Sequence, residues 1–288
     1  MRRALRAGLG GIGALVLLAG LGACSEQPSG EPVVTVDLAE DGAIAPLGAP
    51  VAAPSASTQS ACRQTSFEAI PLTHCIADPQ EHAIAAVYGS ANGPIPYGTL
   101  GAFAANAQAT SQANTIAFAM NGGAFSDDLT PRGYLVSQGE RLSPLNRASG
   151  EGNFYLKPNG VFFGTAGRWQ ILTTDRFFSS VRDRPQFGTQ SGPMLLVDGE
   201  LGAAISENGN SRAIRNGVGV DAEGKAHFVI SDAPLSFGQL ARFFRDEVKA
   251  TNALFLDANS SSLWDPATGR MDTGRTGPIL VVTKKETP

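Results

Sequence analysis

The stretch Met120-Asn121-Gly122-Gly123-Ala124-Phe125 ends an apolar run at 115–120 that has the length of a buried strand. Two adjacent glycines after such a strand permit positive φ angles and a close approach between the backbone and a neighbouring chain or ligand. The backbone N–H groups of such a turn are able to hold an anion or a sugar. The stretch therefore predicts either a binding turn at a strand end or a plain turn.

Further strands and helices follow from the apolar pattern on either side of this stretch. Helices are predicted over 98–112 and after the N-cap Ser236, where apolar residues recur on one helical face. Asp221-Ala222-Glu223-Gly224 predicts a hairpin turn, and two more hairpins pair 134–136 with 140–142 and 153–156 with 161–163. The remaining runs of strand length are 82–88, 194–197, 218–221, 227–230, 253–256 and 279–282. We therefore expect an α+β fold, a single domain with a mixed, largely antiparallel β-sheet and packed helices.

The N-terminus predicts export. Arginines precede an apolar run at 7–20, which is typical of a secretory signal and too short for a stable membrane span. Leu21-Gly22-Ala23-Cys24 resembles the bacterial lipobox, which implies lipidation of Cys24 and attachment to a membrane. Ser25 stands where Asp would signal inner-membrane retention, so we expect a lipoprotein of the outer membrane that faces the periplasm.

Three segments follow from this interpretation. Residues 1–23 are a lipoprotein-type signal peptide, 24–60 form a lipidated and flexible tether, and 61–288 form the functional domain. The tether is rich in Pro, Ala, Ser and Gly and contains no aromatic residue, so it cannot bury enough apolar surface to offset its ordering entropy.

Charge and cysteine usage exclude several classes of function. The net charge is −4 and no basic cluster follows the signal, so nucleic acid is not an expected partner. With Cys24 assigned to lipid, Cys62 and Cys75 remain as one disulfide in an oxidising compartment, or as two reduced thiols. Three histidines, none at a spacing typical of metal sites, predict no metal site, and no cofactor is expected.

Four other polar segments lie at predicted strand ends, where ligand groups converge in many sheets. The phosphate loop, the dinucleotide-binding glycine pattern and the serine-hydrolase elbow are all absent. The four segments are Gly152-Asn153-Phe154-Tyr155-Leu156-Lys157-Pro158-Asn159-Gly160, Thr189-Gln190-Ser191-Gly192-Pro193, Arg215-Asn216-Gly217-Val218-Gly219 and Leu256-Asp257-Ala258-Asn259-Ser260-Ser261-Ser262.

In this order and spacing, the segments resemble those of the phosphodiester glycosidase family. The resemblance covers about 62–283. It implies hydrolysis of a sugar-1-phosphodiester on the glycosidic side, with a phosphodiester-linked sugar or envelope glycan as the substrate. One departure stands out: Ala258-Asn259-Ser260 follows the strand-end Asp where the family usually has Gly, which bears on substrate range and activity.

The resemblance implies a set of roles. Asp257 is the expected catalytic carboxylate, Arg215 the main phosphate clamp and Lys157 a second cation, because cations around a phosphate leaving group replace a strong general acid. Asp127 and Asp128 are reserve carboxylates. The residues expected to position sugar and phosphate are Asn121, Gly122, Gly123, Gln190, Ser191 and Ser261.

Two alternatives remain open. One is a non-catalytic envelope glycan-binding lipoprotein on the same scaffold. The other is a serine hydrolase that uses Ser191 and His227, although its glycine spacing differs from the usual elbow.

Overall fold

The computed structural model describes residues 59–90, 95–257 and 260–285. The predicted signal peptide, Cys24 and nearly all of the predicted tether lie outside the described residues, as do Ala258 and Asn259. The helices are α1 Leu100–Ala109, α2 Thr174–Ser180 and α3 Phe237–Arg242. The strands are β1 Cys62–Phe67, β2 Ile70–Ala77, β3 His82–Val87, β4 Gly98–Thr99, β5 Ile116–Asn121, β6 Leu135–Ser137, β7 Glu140–Ser143, β8 Gly160–Thr165, β9 Arg168–Thr173, β10 Phe187–Ser191, β11 Met194–Val197, β12 Glu200–Leu201, β13 Asn216–Val220, β14 Ala226–Ser231, β15 Asn252–Asp257, β16 Leu263–Asp265, β17 Arg270–Met271, β18 Arg275–Thr276 and β19 Ile279–Lys284.

The strands form three main sheets instead of the one mixed sheet that was predicted. A seven-stranded sheet has the order β1-β2-β14-β13-β15-β11-β12, and two five-stranded sheets have the orders β7-β6-β10-β8-β9 and β17-β16-β5-β19-β3. A short pair, β18-β4, completes the set. Every strand pair among the described residues is antiparallel. The α+β prediction is thus confirmed in outline, but the fold is richer in strand than expected.

The main core lies where the inner faces of the three sheets meet. Phe228 of β14 contacts Phe118 of β5 and Phe162 of β8, with ring centroids 5.2 and 5.9 Å apart, and all three rings are fully buried. Each strand comes from a different sheet, so one aromatic cluster joins all of them. Offset and edge-to-face aromatic pairs add to the stabilisation from buried apolar area.

The helices cover outer faces of the sheets. Leu240 and Phe244 pack on the far side of the seven-stranded sheet, and Leu100 of α1 packs on β5 and β19. The predicted N-cap Ser236 is confirmed, because its hydroxyl accepts the Gln239 N–H in a capping box. The helix predicted after Ser236 continues beyond α3 as a π-helical turn at Phe243–Glu247. Within the described ranges, no helix is long and apolar enough to cross a membrane.

Several local predictions are confirmed. The hairpins β6–β7 and β13–β14 form with the predicted pairing. Cys62 and Cys75 lie opposite each other in the β1–β2 hairpin and form a disulfide bond. The reduced-thiol alternative is therefore not the arrangement in this structure.

One predicted hairpin is wrong. Residues 153–156 do not form a strand: Asn153–Tyr155 is a 3₁₀ turn, and β8 pairs with β9 instead. Two residues with positive φ, Ala166 and Gly167, make the true hairpin turn. The Asn159 side-chain amide donates to the Phe154 carbonyl oxygen at 3.0 Å and holds 154–159 as a compact loop. The sequence Pro158-Asn159-Gly160 therefore indicates the end of this compact loop and not a hairpin turn.

Candidate active site

Two buried asparagines join the end of β5 to the end of β15. The Asn121 Oδ1 accepts the Ser262 N–H at 2.8 Å and the Asn216 side-chain amide at 2.8 Å. The Asn216 Oδ1 in turn accepts the backbone N–H of Asp257 at 2.9 Å. The predicted convergence of Asn121 and Asp257 is therefore present, and Asn216 is the residue that links them.

A β-bulge sets the main chain at Asp257. Asn216 pairs with Asp257 and Gly217 pairs with Phe255, so Leu256 is the extra residue. Bulges of this kind re-aim side chains and are common beside active sites. Two hydroxyls hold the bulged segment: Ser191 Oγ donates to the Leu256 carbonyl at 2.8 Å, and Ser261 Oγ donates to the Asp257 carbonyl at 2.6 Å.

The glycines after β5 allow a close approach to the protein's own strands. A Cβ on Gly122 would lie 2.6 Å from Leu280 Cγ, and one on Gly123, where φ is +149°, would collide with Thr189 Oγ1. The Gly122 N–H donates to the Pro278 carbonyl at 2.8 Å. The close backbone packing predicted for this turn is present. The Gly122 N–H, however, bonds the protein's own backbone and is not available to a ligand.

Gln190 is saturated with internal hydrogen bonds. Its Oε1 accepts the N–H groups of Tyr134 and Asn146, both at 2.9 Å. Its Nε2 donates to the Asn146 carbonyl at 2.7 Å and to Thr174 Oγ1 at 3.0 Å. A glutamine amide has two acceptor sites and two donors, so all four are filled. Gln190 is thus placed to hold 134 and 146 together, and no donor or acceptor is left over for a substrate.

Arg215 is buried, with only 2% of its surface exposed. Its Nε donates to the Leu235 carbonyl at 3.1 Å, and its guanidinium lies 3.7 Å from the centroid of the Phe237 ring. Burial lowers the pKa of Arg215 to about 10. Its Nη1 has no hydrogen-bond partner among the described residues. The structure therefore places the predicted phosphate clamp within the protein and not on its surface.

The other predicted charges lie at the surface. The Lys157 Nζ donates to Asn159 Oδ1 at 3.3 Å. Asp127 and Asp128 are exposed in the loop after Phe125, and the hydrogen bonds from Thr130 lower the pKa of Asp128.

A cleft of about 170 Å³ opens beside Asp257. Two charged residues that the sequence analysis did not single out, Arg132 and Glu151, also line it. The rest of the lining comprises Ala124, Phe125, Gly152, Asn153, Phe154, Gly192, Phe255 and Leu256. The cleft thus combines one guanidinium with two carboxylates, next to segments that the sequence analysis selected.

Backbone closure of a loop places Arg132 in this cleft. The Arg132 N–H donates to the Ala124 carbonyl at 3.0 Å, and its Nε donates to the Phe125 carbonyl at 2.8 Å. Asn146 fixes the other side of the backbone, because its amide donates to the Arg132 carbonyl at 2.7 Å. Glu151 directly precedes Gly152, which has φ +87° and begins the compact loop that Asn159 holds.

A buried histidine pair lies in a different part of the seven-stranded sheet. The His74 Nε2 and His227 Nδ1 are 2.8 Å apart, and the His227 Nε2 is 2.9 Å from Asp221 Oδ2. Both ring nitrogens of His227 are thus engaged, while the Ser191 hydroxyl bonds Leu256. The Ser191–His227 dyad of a serine hydrolase does not form. Among the described residues, no group of three or more His, Cys, Asp or Glu side chains is placed to bind a metal ion.

The family comparison agrees with this arrangement of segments. The model of the phosphodiester glycosidase family matches residues 114–275, more than half of the chain. The chain belongs to the phosphodiester glycosidase family. The match includes Asn121, Arg132, Glu151 and Asp257, and the resemblance seen in the sequence is confirmed.

Two proteins are similar to this chain, one in sequence and one in fold. The uncharacterized protein YigE of Escherichia coli K12 is 34% identical over 187 residues, which cover 65% of this chain and 71% of YigE. The solved catalytic domain of zebrafish N-acetylglucosamine-1-phosphodiester alpha-N-acetylglucosaminidase, auto-inhibited by its pro-peptide, has a TM-score of 0.53 at 15% identity. That match covers 78% of this chain and 82% of the zebrafish chain, and at this identity it shows a shared fold.

Proposed function

We propose that this phosphodiester glycosidase family member hydrolyses a sugar-1-phosphodiester on the glycosidic side, with Asp257 as the catalytic carboxylate. The observation that carries the proposal is the position of Asp257. It lies in a cleft beside a guanidinium, on a main chain that Asn216, Ser191 and Ser261 hold at 2.9, 2.8 and 2.6 Å. Such fixed geometry suits a group that must face an anomeric carbon.

The chemistry suits a cleft of this kind. Water adds to the anomeric carbon, the bond from that carbon to the phosphate oxygen breaks, and the bonding electrons remain on the phosphate. A phosphate leaves without strong protonation, so nearby cations serve in place of a general acid. Asp257 takes the proton of the water or stabilises oxocarbenium-like charge in the transition state.

Arg215 and Lys157 keep supporting roles in this proposal. Arg215 lies 5.6 Å from the ring of Phe255, which lines the cleft, so its charge acts from behind the cleft wall. The exposed Lys157 extends from the loop that begins at Gly152 and meets a phosphate as it approaches from solvent.

The proposal also includes a location. The signal pattern, Cys24 and the tether support an outer-membrane lipoprotein that faces the periplasm, where its substrates are phosphodiester-linked envelope glycans. A tether of the predicted composition would let the domain reach substrates around its anchor. Labelling cells with a radioactive fatty acid tests the anchor, because Cys24→Ala then abolishes incorporation into this chain.

The catalytic proposal is tested with the full chain, purified in detergent, on a panel of sugar-1-phosphodiesters that includes N-acetylglucosamine-1-phosphodiesters. We expect release of free sugar, and Asp257→Asn lowers kcat by at least about 10²-fold, the range for loss of acid–base catalysis. Asp127→Asn and Asp128→Asn are matched controls that keep the rate. Full activity in Asp257→Asn would falsify its assignment. Binding of envelope polysaccharide without turnover of any diester would favour the glycan-binding alternative.

A further inference from the structure

Arg132 lines the cleft, and its guanidinium forms no ion pair with a carboxylate of the described residues. Its Nε is fixed by the Phe125 carbonyl, and in the described part of the chain neither Nη group forms a hydrogen bond or an ion pair. Asp128 is close enough to feel the Arg132 charge but forms no ion pair with it. The two Nη groups of Arg132 are therefore not engaged by the described structure, and a pair of parallel guanidinium donors matches two oxygens of one phosphate.

Other arginines of the chain use the same donors internally. Arg176 makes a two-pronged contact with Asp198, at 2.7 Å for both bonds. Arg242 makes a similar contact with Glu68, at 2.6 and 2.8 Å. These pairs show how a guanidinium of this protein is satisfied when a carboxylate is present. At Arg132 the described residues supply no such carboxylate, so an anion from outside the chain could take that position.

Glu151 and Asp257 contribute two carboxylates to the lining of the cleft. Both line it together with Arg132, so the described lining carries two carboxylates and one guanidinium. A phosphodiester has one negative charge, whereas a phosphate monoester has about −1.5 to −2 at pH 7. Among the described residues that line the cleft, Arg132 is the one cation, so the extra charge of a monoester adds to that of two carboxylates, and like charges in one site repel.

We propose that Arg132 and Glu151 form a subsite for a singly charged phosphoryl group, in which Arg132 holds the two non-bridging oxygens and Glu151 disfavours a second negative charge. The subsite selects phosphodiesters over monoesters. Its second consequence rests on the proposed function: hydrolysis turns a singly charged diester into a doubly charged monoester, which the subsite then releases. The phosphate gains that charge because the bond electrons stay on its oxygen while the proton of water passes through Asp257 to solvent.

Binding of two small probes to the full chain tests the subsite without turnover. Dimethyl phosphate stays singly charged, and methyl phosphate is largely doubly charged at pH 7.5. We expect the wild type to bind dimethyl phosphate at least about fivefold more tightly, as measured by ³¹P line broadening. At pH 5 methyl phosphate has lost its second charge, because the pKa of that step is about 6. The preference then disappears.

Three variants separate the two roles. Glu151→Gln tightens the binding of methyl phosphate and so removes the preference at pH 7.5. Arg132→Gln weakens the binding of both probes at least about tenfold, and Arg132→Lys restores part of that loss. Glu140→Gln and Arg141→Gln are matched controls on the exposed strand β7. Unchanged binding in Arg132→Gln, or an unchanged preference in Glu151→Gln, overturns the subsite.

Binding and turnover together distinguish a failure of the subsite from a failure of the proposed hydrolysis. If no diester is hydrolysed while the probe pattern holds, the subsite stands and the enzymatic proposal fails. If diesters are hydrolysed with a KM that Arg132→Gln leaves unchanged, the enzymatic proposal stands and the subsite fails. Inhibition by methyl phosphate that does not strengthen in Glu151→Gln also counts against the subsite.

Discussion

Asn121 and Asn216 form a buried asparagine network behind the cleft, and Arg132 and Glu151 form the charged rim of the cleft. Both regions adjoin Asp257, but they differ in burial and in hydrogen bonding. Asn121 and Asn216 are fully buried, and each side-chain oxygen accepts hydrogen bonds from neighbouring strands. Arg132 and Glu151 lie at the cleft, and in the described structure the Nη groups of Arg132 bond nothing. The first region therefore sets the geometry, and the second is available for a ligand.

This contrast teaches that a recognisable segment and a ligand-contacting side chain need not coincide. The glycines and amides of the strand ends hold three sheets in register, because they pack against other strands. Charges that contact a ligand tolerate exposure and lie on loops that the scaffold positions. Stability and activity should thus respond differently to changes in the two regions.

The largest effect on stability is expected from Asn216→Ala. The substitution leaves Asn121 Oδ1 with one partner fewer and the Asp257 N–H without its acceptor, and each unpaired buried group costs about 1–3 kcal/mol. We expect the free energy of unfolding to fall by about 2–4 kcal/mol, measured by urea denaturation. Asn210→Ala, in an exposed loop, serves as the control. If the free energy of unfolding falls by less than 1 kcal/mol, the asparagine network contributes no more to stability than the rim does.

A second effect concerns pH and the buried His74. Burial, followed by the charges of His227 and Arg63, lowers the pKa of His74 to about 3. In the unfolded chain its pKa is near 6.5, so between pH 6.5 and about 3 the unfolded state binds more protons. The contribution of His74 to stability is therefore complete above pH 6.5 and decreases as the pH falls through this window.

The size of this pH effect is testable. At about 1.4 kcal/mol per pKa unit, the loss from pH 7 to pH 4 is on the order of 3 kcal/mol. His74→Gln flattens the stability curve over that range, as measured by urea denaturation at a series of pH values. Burial also lowers the pKa of His82, so His82→Gln measures its share. An unchanged slope in His74→Gln means that His74 is not the responsible group.

The sequence was sufficient to locate the strand ends of the buried region, because their signals are local. An apolar run followed by Asn121-Gly122-Gly123, and another that ends at Asp257, mark strand ends whatever the topology. The division into three sheets was not predictable, since it depends on which strands pair over long separations. It was also not predictable that all four hydrogen-bonding sites of the Gln190 amide are filled, because residue type does not show which backbone groups will surround an amide.

The rim of the cleft could not be predicted for a different reason. Arg132 and Glu151 are single charges in loops, without a periodic pattern or a turn signature of their own. Their position follows from loop closure, in which the Arg132 N–H bonds the Ala124 carbonyl. The only available signal was their closeness in sequence to two selected segments, and many exposed charges share that property.

The smallest effect on stability is expected at the rim itself. Glu151→Gln and Arg132→Gln remove exposed or half-exposed charges, and surface substitutions usually change the free energy of unfolding by no more than about 0.5 kcal/mol. Arg132→Gln loses the bond to the Phe125 carbonyl, but that bond is only partly buried, so water replaces the lost donor. Urea denaturation should therefore leave both variants as stable as the wild type while their phosphate binding changes. If the free energy of unfolding of either variant falls by more than 1 kcal/mol, the rim also stabilises the fold. Stability and ligand binding are then not assigned to separate regions of the site.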